Sequence, residues 1–137
     1  MAEDNKAFRL KVYSPTRIFF EGDADMVELT TTEGEIGVYK NHIPLTAIVA
    51  PGILRIYNNG EIREATLLEG FLEILPEEVV ILSESCEWPE EIDYHRAEEA
   101  RIRAERRLSS ETDTNYNRAE LALRRSLIRL QLADKYR

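Results

Sequence analysis

The chain has 137 residues, a formal net charge of −8, 43% hydrophobic residues and 32% charged residues. That length suits one compact domain, or a small domain with an appendage, and the acidic balance argues against duplex nucleic acid, which selects clustered Lys and Arg. Cys86 is the only cysteine, so no intrachain disulfide can form and a reducing compartment is expected.

No apolar run approaches the roughly 18–20 residues that span a bilayer. The opening MAEDNKAFRL is too polar for a secretory signal. A cytoplasmic chain is expected, reaching a membrane only through partner proteins.

In chain order, FRLKVYS comes first and alternates, with Phe8, Leu10 and Val12 on one face and Arg9 and Lys11 on the other. RIFFEG, MVELTT, GILRIYNNG, IREATLLEG, FLEIL and VVILSE follow at short spacing, bounded by Gly, Pro, Asn or Asp. Short alternating runs punctuated by turn residues predict an antiparallel sandwich or barrel. Asn59-Gly60 is the strongest hairpin signal, because both residues accept the positive φ of a type I′ turn.

Composition changes near residue 87. Residues 1–86 hold 15 acidic and 7 basic side chains, whereas residues 87–137 hold 11 of each. Every Gly and Pro lies at or before Pro89, so nothing beyond it breaks a helix. A first helix is predicted from about Pro89 to Leu108, with Pro in its first turn and Glu90, Glu91 and Asp93 near the positive end of its dipole. Glu99 and Arg103 stand at i, i+4 in the favoured order.

SSETDTN reads as a turn, with Asp113 or Thr114 as N-cap, and a second helix follows from about Asn115 to Ala133. Its apolar stripe is read as Tyr116, Ala119, Leu123, Leu127 and Leu130, facing Ala97, Ala100, Ala104 and Leu108 on the first helix. Such narrow faces allow close antiparallel packing. At the junction, Cys86 reads as a lone, partly exposed thiol and Trp88 as a lid on the β core. The expected architecture is α+β: an antiparallel β-sandwich at 1–86 and an antiparallel two-helix hairpin at 87–137.

Catalytic motifs are missing from the sequence. It contains no GxxxxGK(S/T) phosphate loop, no GxGxxG and no GxSxG. His42 and His95 fall in different halves, and a single Cys argues against a structural zinc site. Acidic neighbours such as Glu33/Glu35 and Glu90/Glu91 are expected by chance among 26 acidic residues. The expectation is a protein that is not an enzyme and needs no metal.

Two segments carry more specific information. EGEIGVYKNHIPLTAIVAPGILRI, Glu33 to Ile56, resembles the signature of bacterial F-type ATP synthase epsilon subunits: an acidic-Gly-acidic turn, Ile-Gly, a His-x-Pro-Leu loop and Pro-Gly before a strand. LLEGFLEILPEEVVILSE, Leu67 to Glu84, is similar to that family's Gly-Phe strand and last β-strands. Gly34 and Gly37 would permit a tight turn, Pro44 would stiffen the loop, and Gly70 would let a strand approach its neighbour. Tyr39-Lys40-Asn41 stands where the family usually has Leu-Pro-Gly, and Glu69-Gly70-Phe71 where Gly-Gly-Phe is common.

IDYHRAEEARIRAERRL and RAELALRRSLIRL, Ile92 to Leu108 and Arg118 to Leu130, are similar to that family's helical hairpin. The resemblance implies a ten-stranded β-sandwich contacting the gamma subunit and the membrane rotor ring. It also implies a hairpin that folds beside the sandwich or extends into the alpha/beta catalytic head to block hydrolysis. The setting would be the cytoplasmic face of a bacterial membrane, coupled to proton or sodium transport.

The family's Ile-Asp-x-x-Arg-Ala motif, which its ATP-binding members use, falls here on Ile92, Asp93, Arg96 and Ala97. The same match adds Glu87, Arg103, Arg125 and Arg129 to an implied regulatory ATP site. The residues also bear on this directly. Asp93, Arg96, Ala100 and Arg103 form one stripe of the first helix, and Arg118, Ala122, Arg125 and Arg129 one stripe of the second. Converging guanidiniums suit phosphate oxygens through bidentate, charge-assisted hydrogen bonds. Asp93 would accept from an adenine amino group or orient Arg96, and Ala97 would leave room for a flat base. Solvated Arg–Glu pairs on a helix surface, each worth about 0–1 kcal/mol, explain the same charges. A stand-alone nucleotide-sensing adaptor module remains the alternative to a rotor subunit at this point.

Overall fold

The computed structural model describes residues 5–110 and 116–137. The expected N-cap at Asp113 or Thr114 lies outside these residues. The chain divides into two compact units, Met1–Cys86 and Glu87–Arg137.

The first unit is a ten-stranded sheet wrapped around one core. Its strands are β1 (Phe8–Ser14), β2 (Arg17–Ala24), β3 (Met26–Thr31), β4 (Gly34–Tyr39), β5 (Leu45–Val49), β6 (Gly52–Asn58), β7 (Glu61–Leu67), β8 (Gly70–Ile74), β9 (Glu78–Ser83) and the two-residue β10 (Cys86–Glu87). The strand order is β10-β7-β6-β3-β5-β8-β9-β1-β2, with β4 beside β3. The pairings whose registers are resolved are antiparallel except β1 with β9, where Leu10 faces Val79 and Val12 faces Ile81.

Alternation builds the core. Leu10, Val12, Val27, Leu29, Leu54, Ile56, Leu67, Leu72 and Ile81 point inward and are buried, each contributing roughly 1.5–3 kcal/mol of transfer free energy. The outward partners Arg9 and Lys11 carry ion pairs to Glu21 at 3.0 Å and Glu78 at 3.0 Å.

Three turns show why particular residues stand where they do. Asn59 and Gly60 have φ of 52° and 79° and join β6 to β7, the I′ geometry expected of them. Gly34 alone supplies positive φ in the β3–β4 turn; Gly37, expected to share that role, lies inside β4 opposite Glu28. Asn41 has φ 67°, the left-handed region that Asn tolerates almost as Gly does. The Tyr39-Lys40-Asn41 departure therefore keeps a residue able to make the bend.

Gly70 has a steric reason of its own. A Cβ there would overlap the Leu82 carbonyl oxygen. Next to it, the buried Ser83 hydroxyl donates to Leu68 O at 2.9 Å and accepts from Leu68 N at 3.1 Å.

A polar row crosses β3, β6 and β7, where Glu28, Arg55 and Glu64 are register neighbours. Glu64 is buried and its carboxylate accepts from Arg55 Nε at 2.8 Å. The Tyr57 hydroxyl donates to Glu28. That hydrogen bond, with help from burial, pushes the Tyr57 phenol above its ordinary pKa.

Cys86 is buried rather than partly exposed. Its carbonyl accepts from the Arg17 guanidinium at 3.1 Å. No local pattern signals that a two-residue strand places this thiol against β7.

The second unit is a helical hairpin. Here the expected continuous first helix is interrupted. A 3₁₀ turn, Pro89–Glu91, comes first, Ile92 is extended with ψ 125°, and α1 runs Tyr94–Leu108. The cause is local. Glu91 accepts from Trp88 N at 2.8 Å and closes the turn, while the Asp93 carboxylate accepts from Arg96 N at 3.1 Å and starts the helix afresh. Trp88 is half-buried.

The second helix, α2, runs Tyr116–Tyr136 and packs on α1. Arg137 stacks on the Tyr94 ring at 3.9 Å, so the end of α2 lies beside the start of α1 and the pair is antiparallel. Its buried residues are Ala119, Ser126, Leu130, Leu132 and Ala133, whereas Tyr116 and Leu127 are exposed. The stripe is thus rotated from the one expected. Ser126 can enter it because its hydroxyl donates to Leu123 O at 2.8 Å and leaves no buried donor unmet.

Candidate functional site

On the hairpin, Glu87, Asp93, Arg96, Ala97, Ala100, Arg103 and Arg129 line an open crevice of about 290 Å³. Asp93, Arg96, Ala100 and Arg103 are the α1 stripe expected from spacing. Ala97 is buried at its floor. Small side chains at 97 and 100 make the hollow, because longer ones would fill it.

Arginines of this unit fall into two groups. Arg101 is clamped between Glu98 at 2.5 Å and Glu105 at 2.6 Å, and Arg124 binds Glu120 at 2.9 Å. The Glu98 hydrogen bond raises the Arg101 pKa further. By contrast, neither Arg96 nor Arg103 has a carboxylate within ion-pair distance among the described residues. The expected Glu99–Arg103 pair does not form, since Glu99 lies 3.4 Å from His95 Nε2 instead. Arg106 and Arg107 share this lack of a carboxylate partner among the described residues, so position in the crevice is what distinguishes Arg96 and Arg103.

Arg129 is held differently. Its Nε donates to Glu87 Oε1 at 2.7 Å, with both side chains roughly three-quarters buried at 27% exposure. A guanidinium has five N–H donors, so this bond orients the group and leaves other donors for a ligand. No sequence spacing pointed to this pair, which joins residues 42 apart; only the family match brought Glu87 forward.

Of the eight expected site residues, Glu87, Asp93, Arg96, Ala97, Arg103 and Arg129 meet in the crevice. Ile92 lies on another hollow, with Pro89, Tyr94 and Tyr136, and Arg125 does not line this one. Asp93 has a structural role that the sequence reading missed, as the N-cap of α1. An Asp standing directly before the helical stripe that opens at Tyr94 was the signal that could have found it. Chemically, three guanidiniums around a small-residue floor suit a polyanion such as a phosphate chain.

A wrapped ten-stranded β-unit followed by a helical hairpin defines a two-part class. The same division appears in the family matches: residues 7–89 match the ATP synthase delta/epsilon chain beta-sandwich domain, and residues 90–134 the ATP synthase delta/epsilon chain long alpha-helix domain. The chain belongs to the ATP synthase delta/epsilon chain family. It is 46% identical over 134 residues to the ATP synthase epsilon chain of Caldanaerobacter subterraneus subsp. tengcongensis, covering 96% of this chain and 97% of that one. The Clostridium novyi ATP synthase epsilon chain is 44% identical over 128 residues, covering 93% and 98%. A chain of the cryo-EM structure of the Euglena gracilis mitochondrial ATP synthase shares the fold, with a TM-score of 0.81 at 23% identity over 94% of this chain and 82% of that one.

Proposed function

We propose that this chain is a non-catalytic central-stalk subunit of a proton- or sodium-translocating F-type ATP synthase, and that its hairpin binds ATP as a regulatory ligand. The β-unit meets the gamma subunit and the membrane rotor ring, and the hairpin answers to ATP and to the alpha/beta catalytic head. No helix of the described residues is long and apolar enough to cross a membrane, and attachment at the cytoplasmic face is through the complex.

The observation that carries the nucleotide reading is the crevice with Arg96, Arg103 and Arg129 on its walls and two of those guanidiniums lacking a carboxylate partner among the described residues. The residues fit the ligand: the arginines take the phosphates, and Ala97 and Ala100 leave room beside them. The regulation is a population shift. ATP binds the compact hairpin and stabilises it by its differential affinity. When ATP is scarce the hairpin extends, its arginines meet acidic surfaces of the catalytic head, and hydrolysis stops. With no phosphate loop in the chain, ATP is held and not turned over.

Calorimetric titration of ATP and ADP into the full chain tests this. Arg96→Ala and Arg103→Ala are the informative variants, because neither guanidinium holds the fold through an ion pair among the described residues. Saturable ATP binding, weakened about tenfold or more in each variant, is expected. No binding at millimolar ATP would leave a rotor subunit whose hairpin is purely mechanical.

A further inference from the structure

Every carboxylate of the crevice and of α1 is held by something other than the Arg96 and Arg103 guanidiniums. Glu87 binds Arg129 at 2.7 Å, and Asp93 accepts from the Arg96 backbone N–H at 3.1 Å. Glu98 and Glu105 both clamp Arg101, at 2.5 Å and 2.6 Å. Glu99 lies 3.4 Å from His95 Nε2. One of these holders differs from the rest. Guanidiniums stay charged and backbone N–H groups stay donors at any physiological pH, whereas imidazole gains and loses its charge between about pH 5 and 8.

Glu99 is also the one carboxylate placed to reach both crevice arginines of α1. It stands three residues after Arg96 and four before Arg103, the spacings at which helix neighbours meet, and Glu ahead of Arg at i, i+4 is the favoured order. His95 stands four residues on its other side. The His95 and Glu99 side chains are 86% and 55% exposed, so an exchange of partners costs a rotamer change and no unpacking. No other element competes for either group among the described residues. The charged groups at the end of α2, beside the start of α1, are engaged nearby: Arg137 lies 3.6 Å from Asp134 and stacks on Tyr94, and Lys135 lies over the Tyr136 ring. In the preceding 3₁₀ turn, Glu91 accepts from Trp88 N, and Glu90 lines the hollow of Tyr94 and Arg137.

We propose that Glu99 is a gate on the nucleotide crevice, drawn aside by His95 while that imidazole is protonated and swung onto Arg103 when it is neutral. This deepens the nucleotide reading of the crevice and rests on it. The sign follows from charge. Protonated His95 attracts the Glu99 carboxylate and leaves the Arg103 guanidinium open to phosphate oxygens. Neutral His95 lets Glu99 take its alternative partner, and ATP must then displace a carboxylate from Arg103 before binding it. Glu99 and His95 are positioning residues here, acting on ATP through Arg103. A fall in pH thus strengthens the hold of the crevice on ATP and favours the compact hairpin, and a rise weakens it.

The test is calorimetry of ATP with the full chain at about pH 6 and about pH 8, read as ratios between chains so that the ionisation of ATP itself cancels. The variants are Glu99→Gln and His95→Ala, both exposed positions given good helix formers. At the higher pH, Glu99→Gln should bind ATP about two- to fivefold more tightly than the parent, the range that exposed ion pairs give; at the lower pH the two should bind alike. His95→Ala should bind about two- to fivefold less tightly than the parent at the lower pH. Added to Glu99→Gln, the same His95→Ala change should alter nothing, because His95 acts through Glu99. A second readout needs no ligand: the NMR signal of the Arg103 Nε–H should move between the two pH values in the parent and stay in place in Glu99→Gln. A parent-to-Glu99→Gln ratio that is the same at both pH values, a His95→Ala effect that survives in the Glu99→Gln background, or an Arg103 signal unmoved by pH in the parent would each overturn the gate. Absence of ATP binding in every chain would instead overturn the nucleotide reading, and the Arg103 signal would then still decide whether Glu99 changes partner.

Discussion

The two units hold together by different means. The β-unit buries whole aliphatic side chains, Leu10, Leu29, Leu54, Ile56, Leu67, Leu72 and Ile81 among them. The hairpin buries mostly small ones: Ala97, Ala104, Ala119, Ser126 and Ala133, with Leu130 and Leu132. Since transfer free energy scales with apolar area, the first unit has a deep well and the second a shallow one. Small interfaces also bring helices close, which is how a crevice floored by alanine forms between arginine walls. Weak packing and ligand capacity thus have one origin here, and the less stable unit is the one suited to change conformation.

This contrast is challenged most strongly in the β-unit. Leu72→Ala should cost about 2–5 kcal/mol by the usual cavity term. Urea unfolding followed by NMR signals of Val27 and Ile81 in the β-unit and of Ala104 and Ala119 in the hairpin should show that loss in the β transition, with the hairpin signals lost no earlier than in the parent chain. Equal loss in both signals would mean the two units unfold as one.

A smaller effect defines the hairpin side. Asp93→Ala removes the α1 N-cap and should cost about 0.5–2 kcal/mol of helix stability, whereas Asp93→Asn keeps a good cap and should cost little. The pair separates two roles at once. If ATP binding falls in both variants, the carboxylate serves the ligand; if it falls only with Ala, Asp93 acts through the helix start.

Smallest is the polar row of the β-unit. Tyr57→Phe should cost about 0.5–1.5 kcal/mol through loss of the hydrogen bond to Glu28. The phenol's raised pKa gives this contribution a sign with pH. It is fully present below pH 10.0, the ordinary value for tyrosine, and is lost as pH rises through the elevated folded value. Melting temperature measured from pH 8 to 11 should therefore fall more steeply in the parent chain than in the variant.

Much of this architecture is legible in short stretches of the chain. FRLKVYS and its successors alternate at period two, and Asn59-Gly60 and Gly34 sit where positive φ is needed; each is a local preference, set by adjacent residues. Two of the local expectations that went astray share a cause. Glu91 and Asp93 bond to backbone groups and divide the expected helix, and Glu99 stands nearer His95 than Arg103. In both cases a short polar competitor outweighs a helix-wide pattern.

Strand and helix content, the change of character near residue 87 and the family all follow from the sequence alone, because alternation, turn residues and motif spacing act over a few residues. Three arrangements required the folded chain: which arginines are spent on glutamates and which face the crevice, the hold of Glu87 on Arg129 across 42 residues, and the gathering of Glu28, Arg55 and Glu64 from separate strands into one polar row. Those arrangements depend on strand register and helix packing, which join parts of the chain that no local pattern connects.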